Sequence, residues 1–127
     1  MKLLCVEDNG AIQGLIGSML LSGGAEVDYA SNGREAVEAY ELTEYDAILM
    51  DMEMPVMSGI EATKEIRQIE YGFHLHHTPI LFLTGHEDAT RLAQVEAVGG
   101  DGHLCKPFTP EALLLALNGV LSLQADS

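Results

Sequence analysis

Positive charge is the scarcest commodity in this chain. Six lysine and arginine residues stand against twenty acids, for a formal net charge of −14. So acidic a surface repels phosphate-rich polymers, which argues against direct nucleic-acid binding, and it attracts cations. The bases are Lys2, Arg34, Lys64, Arg67, Arg91 and Lys106, and none follows Lys106. Long apolar runs are missing as well. None approaches the ~18 residues a membrane span needs, so no membrane contact is expected. Acids follow Met1-Lys2-Leu3-Leu4-Cys5-Val6 at once and no small-residue cleavage site appears, which is not the pattern of a signal peptide. The two cysteines, Cys5 and Cys105, both lie in apolar strand-like runs. They read as reduced core thiols of a cytoplasmic protein, not a disulfide pair. Linkers, low-complexity tracts and internal repeats are absent, and residues 1–127 are expected to form one domain.

What the sequence has instead is an alternation of short apolar runs and amphipathic stretches. Leu3 to Val6 read as a strand ending in Glu7-Asp8-Asn9. Asp8 or Asn9 can cap the next helix, because their side chains accept its free backbone N–H groups. In that helix Ala11, Ile12, Leu15, Ile16, Met19 and Leu20 recur at helical spacing, and Gly23-Gly24 stop it. Gln13, Gly14, Gly17 and Ser18 leave a small, uncharged opposite face. Glu26 to Ala30 alternates polar and apolar residues, as a strand near a sheet edge does. After Asn32-Gly33 a second helix turns Ala36, Val37 and Tyr40 inward. Ala47 to Met50 are apolar throughout, the pattern of a central parallel strand, and they run straight into Asp51.

A third helix over about Ser58 to Glu70 sets Ile60, Thr63, Ile66 and Ile69 on one side. Tyr71 to Thr78 reads as a connection, and Ile80 to Leu83 as a fourth strand ending in Thr84-Gly85-His86. A fourth helix is expected over about Glu87 to Val98, then a turn cluster at Gly99 to Gly102. His103-Leu104-Cys105 form a fifth strand before Lys106-Pro107-Phe108, and Pro110 opens a leucine-rich last helix carrying Leu113 to Leu123. Strand and helix alternate five times. The fold class is therefore α/β, a doubly wound parallel sheet with helices on both faces.

In such a sheet the carboxyl ends of the strands open on one edge, where chemistry sits. Glu7 and Asp8 follow the first strand, Asp51 the third, Thr84 the fourth and Lys106 the fifth. Taken singly, Asp8 is as readily a helix cap, Thr84 a capping threonine and Lys106 a surface lysine. Their coincidence on one edge is harder to explain by packing. Three carboxylates in one pocket repel each other, and a divalent cation with oxygen ligands relieves that. Mg²⁺ suits such a site, since it keeps waters and adds a phosphate oxygen. A lysine and a hydroxyl beside it fit a tetrahedral anion. Asp51 would then be a nucleophile that forms an aspartyl phosphate.

These residues carry a resemblance. Glu7-Asp8, Asp51 within Asp-Met-Glu-Met-Pro-Val-Met-Ser-Gly, Thr84-Gly85 and Lys106-Pro107-Phe108 together resemble the receiver domain of two-component response regulators, over essentially the whole chain. The resemblance implies a flavodoxin-like (βα)5 fold of strand order 2-1-3-4-5. It makes Asp51 the phosphoacceptor, with Glu7, Asp8, Asp51 and the backbone carbonyl of Glu53 holding Mg²⁺, for which Mn²⁺ is expected to substitute. Thr84 and Lys106 would contact the phosphoryl group, and the Lys106-Pro107 bond is expected to be cis. The donor would be a histidine kinase or histidine phosphotransfer domain docking at the first helix. Output would pass through the face of the fourth helix, fifth strand and fifth helix. Such a domain is not a classical enzyme on its own.

The chain departs from the family pattern at two positions. His103 stands where receivers often carry a switching Tyr or Phe, and Ser58 where they often carry Asp before the glycine. Thr84, Gly85, His86 and His103 form the expected switch and modulating set, with His86 near the pocket rim. His74, His76 and His77 read as solvated loop residues without the spacing of a metal site. A dehalogenase-like phosphatase would want a second Asp where Glu53 stands, and a flavodoxin would find its phosphate repelled by Glu7-Asp8. No output domain is expected within the chain, which reads as a stand-alone regulator or, preferentially, as the receiver of a hybrid sensor histidine kinase. The last helix lacks Lys and Arg, so a monomer is expected, or an apolar contact through that leucine-rich helix.

Overall fold

Five strands and five helices alternate along the chain. They are β1 (Lys2–Val6), α1 (Gly10–Leu21), β2 (Glu26–Ala30), α2 (Gly33–Leu42), β3 (Ala47–Asp51), α3 (Gly59–Phe73), β4 (Ile80–Thr84), α4 (Ala89–Ala97), β5 (Gly102–Cys105) and α5 (Pro110–Ala125). The computed structural model describes residues 1–86 and 88–125, with side chains to residue 122. All strand pairs are parallel, in the order β2-β1-β3-β4-β5. The alternating Glu26–Ala30 run is an edge strand, and the apolar β3 and β4 lie inside the sheet. Burial on both faces is what makes those two strands apolar up to their last residues, Asp51 and Thr84.

Two cores flank the sheet. Leu4, Val6, Ile48, Met50, Ile80 and Phe82 pack under α2, α3 and α4 with Val37, Ile66 and Val95. Leu3, Cys5, Leu49, Leu81 and Leu83 pack under α1 and α5 with Ile16, Leu20, Leu113 and Leu117. Burial beside Glu7 pushes the Cys5 thiol up to about 12, so it stays a neutral thiol and packs as a small hydrophobe. Cys105 is half-buried and also unpaired with another cysteine.

Several boundaries and faces differ from the sequence expectation. Helix α3 runs three residues beyond Glu70, to Phe73. It stops only where His74 takes a left-handed conformation (φ 55°) and the Leu75 N–H returns to the Glu70 carbonyl at 2.9 Å. Helix α4 begins at Ala89, capped by Asp88; Glu87, the expected start, lies outside the described residues, as does the side chain of Leu123. On α1, Leu15 is exposed instead of inward, whereas Gly17 is buried because the Tyr29 ring lies across it. His77 is no solvated loop residue. Its Nε2 lies 2.8 Å from Asp101, which also pairs with Arg67 at 3.0 Å. Arg67 bonds buried Glu70 at 2.8 Å and the carbonyls of Thr78 and Gly99, so this network ties together the ends of α3, β4 and β5.

Glycine at position 59 is what lets α3 start against the end of β3. A Cβ there would overlap the Asp51 carbonyl oxygen and press on Met50. Gly59→Ala is therefore expected to cost about 3 kcal/mol, as overpacking against backbone does. Urea denaturation of the variant measures it, and an unchanged midpoint would mean that α3 can shift freely.

Candidate functional site

The acidic edge is assembled by the ends of β1, β3, β4 and β5. Glu7 is buried (1 % exposed) and so is Asp51 (7 %), whereas Asp8 is exposed. One carboxylate oxygen from each of the three lies within 4.8 Å of the others. Lys106 Nζ sits 2.7 Å from Glu7 Oε1 and 3.2 Å from Asp51 Oδ1, and the bond linking it to Pro107 is cis. Thr84 is buried at the end of β4, and among the described residues its hydroxyl has no hydrogen-bond partner.

The structural alternatives for these residues are taken by neighbours. Helix α1 is capped by Asn9, whose Oδ1 accepts from Ala11 and Ile12, so Asp8 is released from that task. Helix α4 is capped by Asp88, so Thr84 is not a capping threonine. Lys106 is bound inward by two carboxylates and is only a quarter exposed. The buried Thr63 hydroxyl, inside α3, is likewise without a partner among the described residues, so the weight of the Thr84 orphan comes from its place at the strand-end edge that carries the acids and Lys106.

Charge is unevenly shared in the cluster. Burial is the largest influence on Asp51 and, with Glu7 nearby, it raises that carboxyl to about 6 despite Lys106. Burial also acts on Glu7, but hydrogen bonds from Lys106 and the Asn9 N–H outweigh it and lower this carboxyl. Asp8 is raised, chiefly by sharing a hydrogen bond with Glu7. Burial opposes the charge on Lys106, yet Glu7 and Asp51 outweigh it and hold the ammonium form. Three acids thus share one lysine, and the residual negative charge fits a hard divalent cation with oxygen ligands.

The loop that closes the site has its own demands. Ser58 caps α3 by accepting the Glu61 N–H at 3.2 Å, and Glu61 accepts from the Ser58 N–H in a capping box. The serine thus serves the helix start that aspartate often serves. Between Pro55 and Met57 a three-residue turn closes at 2.8 Å over Val56, whose φ of 71° a β-branched residue rarely adopts. Glu53 follows β3, and its side chain is drawn to Arg91 of α4. Gly85 and His86 are exposed beyond Thr84, and His103 lies exposed on β5 opposite Phe82.

Two contributors escaped the sequence reading. The Gln13 amide donates to the Glu7 carbonyl at 2.6 Å, fixing the end of β1. Arg91 joins α4 to the β3–α3 loop. Its signal in the sequence was only that it is one of six bases among twenty acids.

Comparison with known proteins gives a consistent result. A profile of the response regulator receiver domain matches residues 3–118. The chain is 32% identical to the chemotaxis protein CheY of Halobacterium salinarum, covering 95% of this chain and 97% of that one. It is 35% identical to a segment of hybrid signal transduction histidine kinase I of Dictyostelium discoideum, across 92% of this chain. That match spans only 7% of the kinase's length. Among solved structures, Vibrio cholerae CheY4 is 40% identical with a TM-score of 0.84, over 94% of this chain and 97% of that one. The receiver domain of a Pseudomonas aeruginosa sensor histidine kinase, described with a magnesium ion coordinated in its active-site cleft, is 36% identical with a TM-score of 0.85. It covers 95% of this chain and 97% of that one.

Proposed function

Because the chain belongs to the response regulator receiver domain family of two-component systems, we propose that Asp51 is its phosphoacceptor and Lys106 and Thr84 its phosphoryl-binding partners. The single observation that carries this reading is the buried Asp51 carboxylate, 3.2 Å from Lys106 Nζ, with the unpartnered Thr84 hydroxyl at the end of the neighbouring strand. With its carboxyl at about 6, Asp51 is mostly ionised at pH 7 and so available as a nucleophile. An Asp51 oxygen attacks the phosphorus of a phosphohistidine as the P–N bond breaks, and the imidazole leaves. Lys106 then balances a phosphoryl oxygen, and the Thr84 hydroxyl donates to another.

Glu7, Asp8, Asp51 and the Glu53 carbonyl are the residues that would hold Mg²⁺, with Mn²⁺ as a substitute. Bound there, the ion supplies charge neutralisation for the transferred group. The reading is supported by the three carboxylates that share a single lysine. The transfer cycle needs no separate active site, so the domain acts as a switch on its own account. Whether it works alone or inside a longer kinase, we favour the hybrid kinase context, because the hybrid kinase I of Dictyostelium contains a matching segment.

The donor's helical bundle is proposed to dock on α1. No charged residue occurs between Gly10 and Leu21, and Gly14 and Ser18 are exposed beside Leu15. Gly14→Arg or Ser18→Arg is expected to slow transfer from a phosphorylated histidine phosphotransfer domain by about tenfold, leaving acetyl phosphate labelling intact. Equal transfer rates would remove α1 from the interface.

Output is proposed through α4, β5 and α5, following a shift of Thr84 toward the phosphoryl group, with His103 as the exposed switch position on β5. The turn after Thr84 has open space around it, since nothing lies within 4 Å of where a Cβ on Gly85 would be. His86 is exposed at the rim and is proposed to gate the water that hydrolyses the acyl phosphate. His86→Ala should change the phosphoryl half-life several-fold; an unchanged decay rate would sink that role. Among the described residues no helix is long and apolar enough to cross a membrane. We place the domain in the cytoplasm and expect a monomer without nucleic-acid contact.

A further inference from the structure

At the sheet edge opposite Asp51, the ends of α2 and α3 leave apolar surface uncovered. Leu42 is 86 % exposed, Phe73 74 % and Leu75 49 %. They flank two adjoining troughs of about 300 and 390 Å³ that share Tyr40, Glu41 and Leu75. The unexpected last turn of α3 builds this surface, since it carries Phe73 past the end of the core and brings Leu75 back beside it. The floor is fixed in advance. Tyr40 donates its hydroxyl to buried Glu70 at 3.3 Å, and Glu70 is held by Arg67 and by the Thr78 N–H, each at 2.8 Å. A preorganised apolar trough loses little on binding, and exposed apolar patches of this kind mark interaction sites.

We propose that this trough docks a basic amphipathic segment of a partner protein, its apolar side chains between Leu42, Phe73 and Leu75 and its lysines or arginines against Glu41 and Glu44. Charge selects this occupant. Glu41 borders both troughs and Glu44 one of them, Glu44 being 81 % exposed at its side chain, while neither trough is lined by a lysine or arginine. His76, 3.6 Å from Glu44, is the single titratable base at the rim among the described residues. A second copy of the chain would set these acids against one another under a net charge of −14 each, and anionic membranes and nucleic acids would be repelled in the same way. A basic helix laid in the groove meets both demands at once. The inference goes beyond phosphoryl acceptance and does not depend on it.

The test uses the full chain, labelled with ¹⁵N, and a synthetic peptide of leucine and lysine patterned as one amphipathic helix. Saturable binding with shifts centred on Leu42, Phe73 and Leu75 is expected, equally in Asp51→Asn. Leu42→Ser with Phe73→Ser should weaken it at least about tenfold, and Glu41→Lys with Glu44→Lys by a similar factor. Both pairs are exposed, and the charge-reversed pair tests the groove without touching the apolar residues. A leucine–glutamate counterpart should not bind. Undiminished affinity in both double variants, or shifts centred on Glu7, Asp8 and Asp51, would overturn the proposal. So would self-association, or vesicle binding in place of peptide binding, that is lost with Leu42 and Phe73.

Discussion

Lys106→Met is expected to cripple phosphorylation and to destabilise the metal-free protein at once. Lys106 is the one cation touching both Glu7 and Asp51 among the described residues, and those two carboxylates are 2 % and 10 % exposed at their side chains. Breaking a buried pair by removing one partner costs about 3–5 kcal/mol, because the other charge stays behind in low dielectric. Lys106 itself is a quarter exposed, so a loss of about 2–3 kcal/mol at pH 7 is the reasonable expectation. The pH dependence follows from Glu7. Its folded carboxyl lies below the ordinary 4.5, so the lysine's contribution is present above that value and fades as pH falls through the lowered one. Urea titrations in EDTA at pH 7 measure the deficit, and saturating Mg²⁺ should narrow it by supplying the missing charge. On the chemical side, loss of one preorganised charge at the developing phosphoryl oxygens should slow labelling by about 10²–10³-fold. Near-wild-type labelling would take Lys106 out of the phosphoryl site.

The second large effect has the opposite sign. Asp51→Asn should stabilise the protein in EDTA at high pH. Burial raises the folded carboxyl from 3.8 to about 6, which means that ionised Asp51 is penalised in the fold. Asp51's own contribution to stability is therefore greatest while it is protonated, is lost as pH rises between about 4 and 6, and stays lost above 6, opposite in sign to that of Glu7. The rise from 3.8 to about 6 corresponds to about 3 kcal/mol, the opposing pull of Lys106 already being contained in it, and water at the open side of the pocket lowers that figure. A gain on the order of 1–2 kcal/mol at pH 8, shrinking as pH drops below 6, is expected from thermal melts. Mg²⁺ should raise the melting temperature of the wild type and leave the asparagine variant nearly unmoved. A variant less stable than wild type at pH 8 in EDTA would show that Asp51 is not held against its own charge.

Most of the architecture could be read from the residues, for identifiable reasons. The apolar run Ala47–Met50 of β3 and the alternating β2 announced one interior strand and one edge, because burial on two faces or one leaves different periodicities. The acids, hydroxyl and lysine at four strand ends announced the site, because parallel topology sends those ends to one side. Helix ends were less legible. The last turn of α3 is Tyr71-Gly72-Phe73, where a glycine and two aromatics suggest a loop, and the turn is kept by the Glu70–Leu75 backbone bond and the buried Arg67 network instead. That network was invisible for the same reason. Arg67, His77 and Asp101 are brought together by the sheet, across 34 residues, and no local pattern encodes it. The face of α1 was misjudged because the residue covering Gly17 is Tyr29, which belongs to the next strand.

The central claim is that this acidic edge accepts a phosphoryl group on Asp51, and intact mass spectrometry tests it most directly. The full chain is incubated with acetyl phosphate and Mg²⁺, alongside Asp51→Asn and an EDTA control. A single phosphoryl adduct is predicted for the wild type with Mg²⁺, absent from the asparagine variant and from the EDTA sample. An adduct that persists in Asp51→Asn, or none at any Mg²⁺ concentration, would contradict the account.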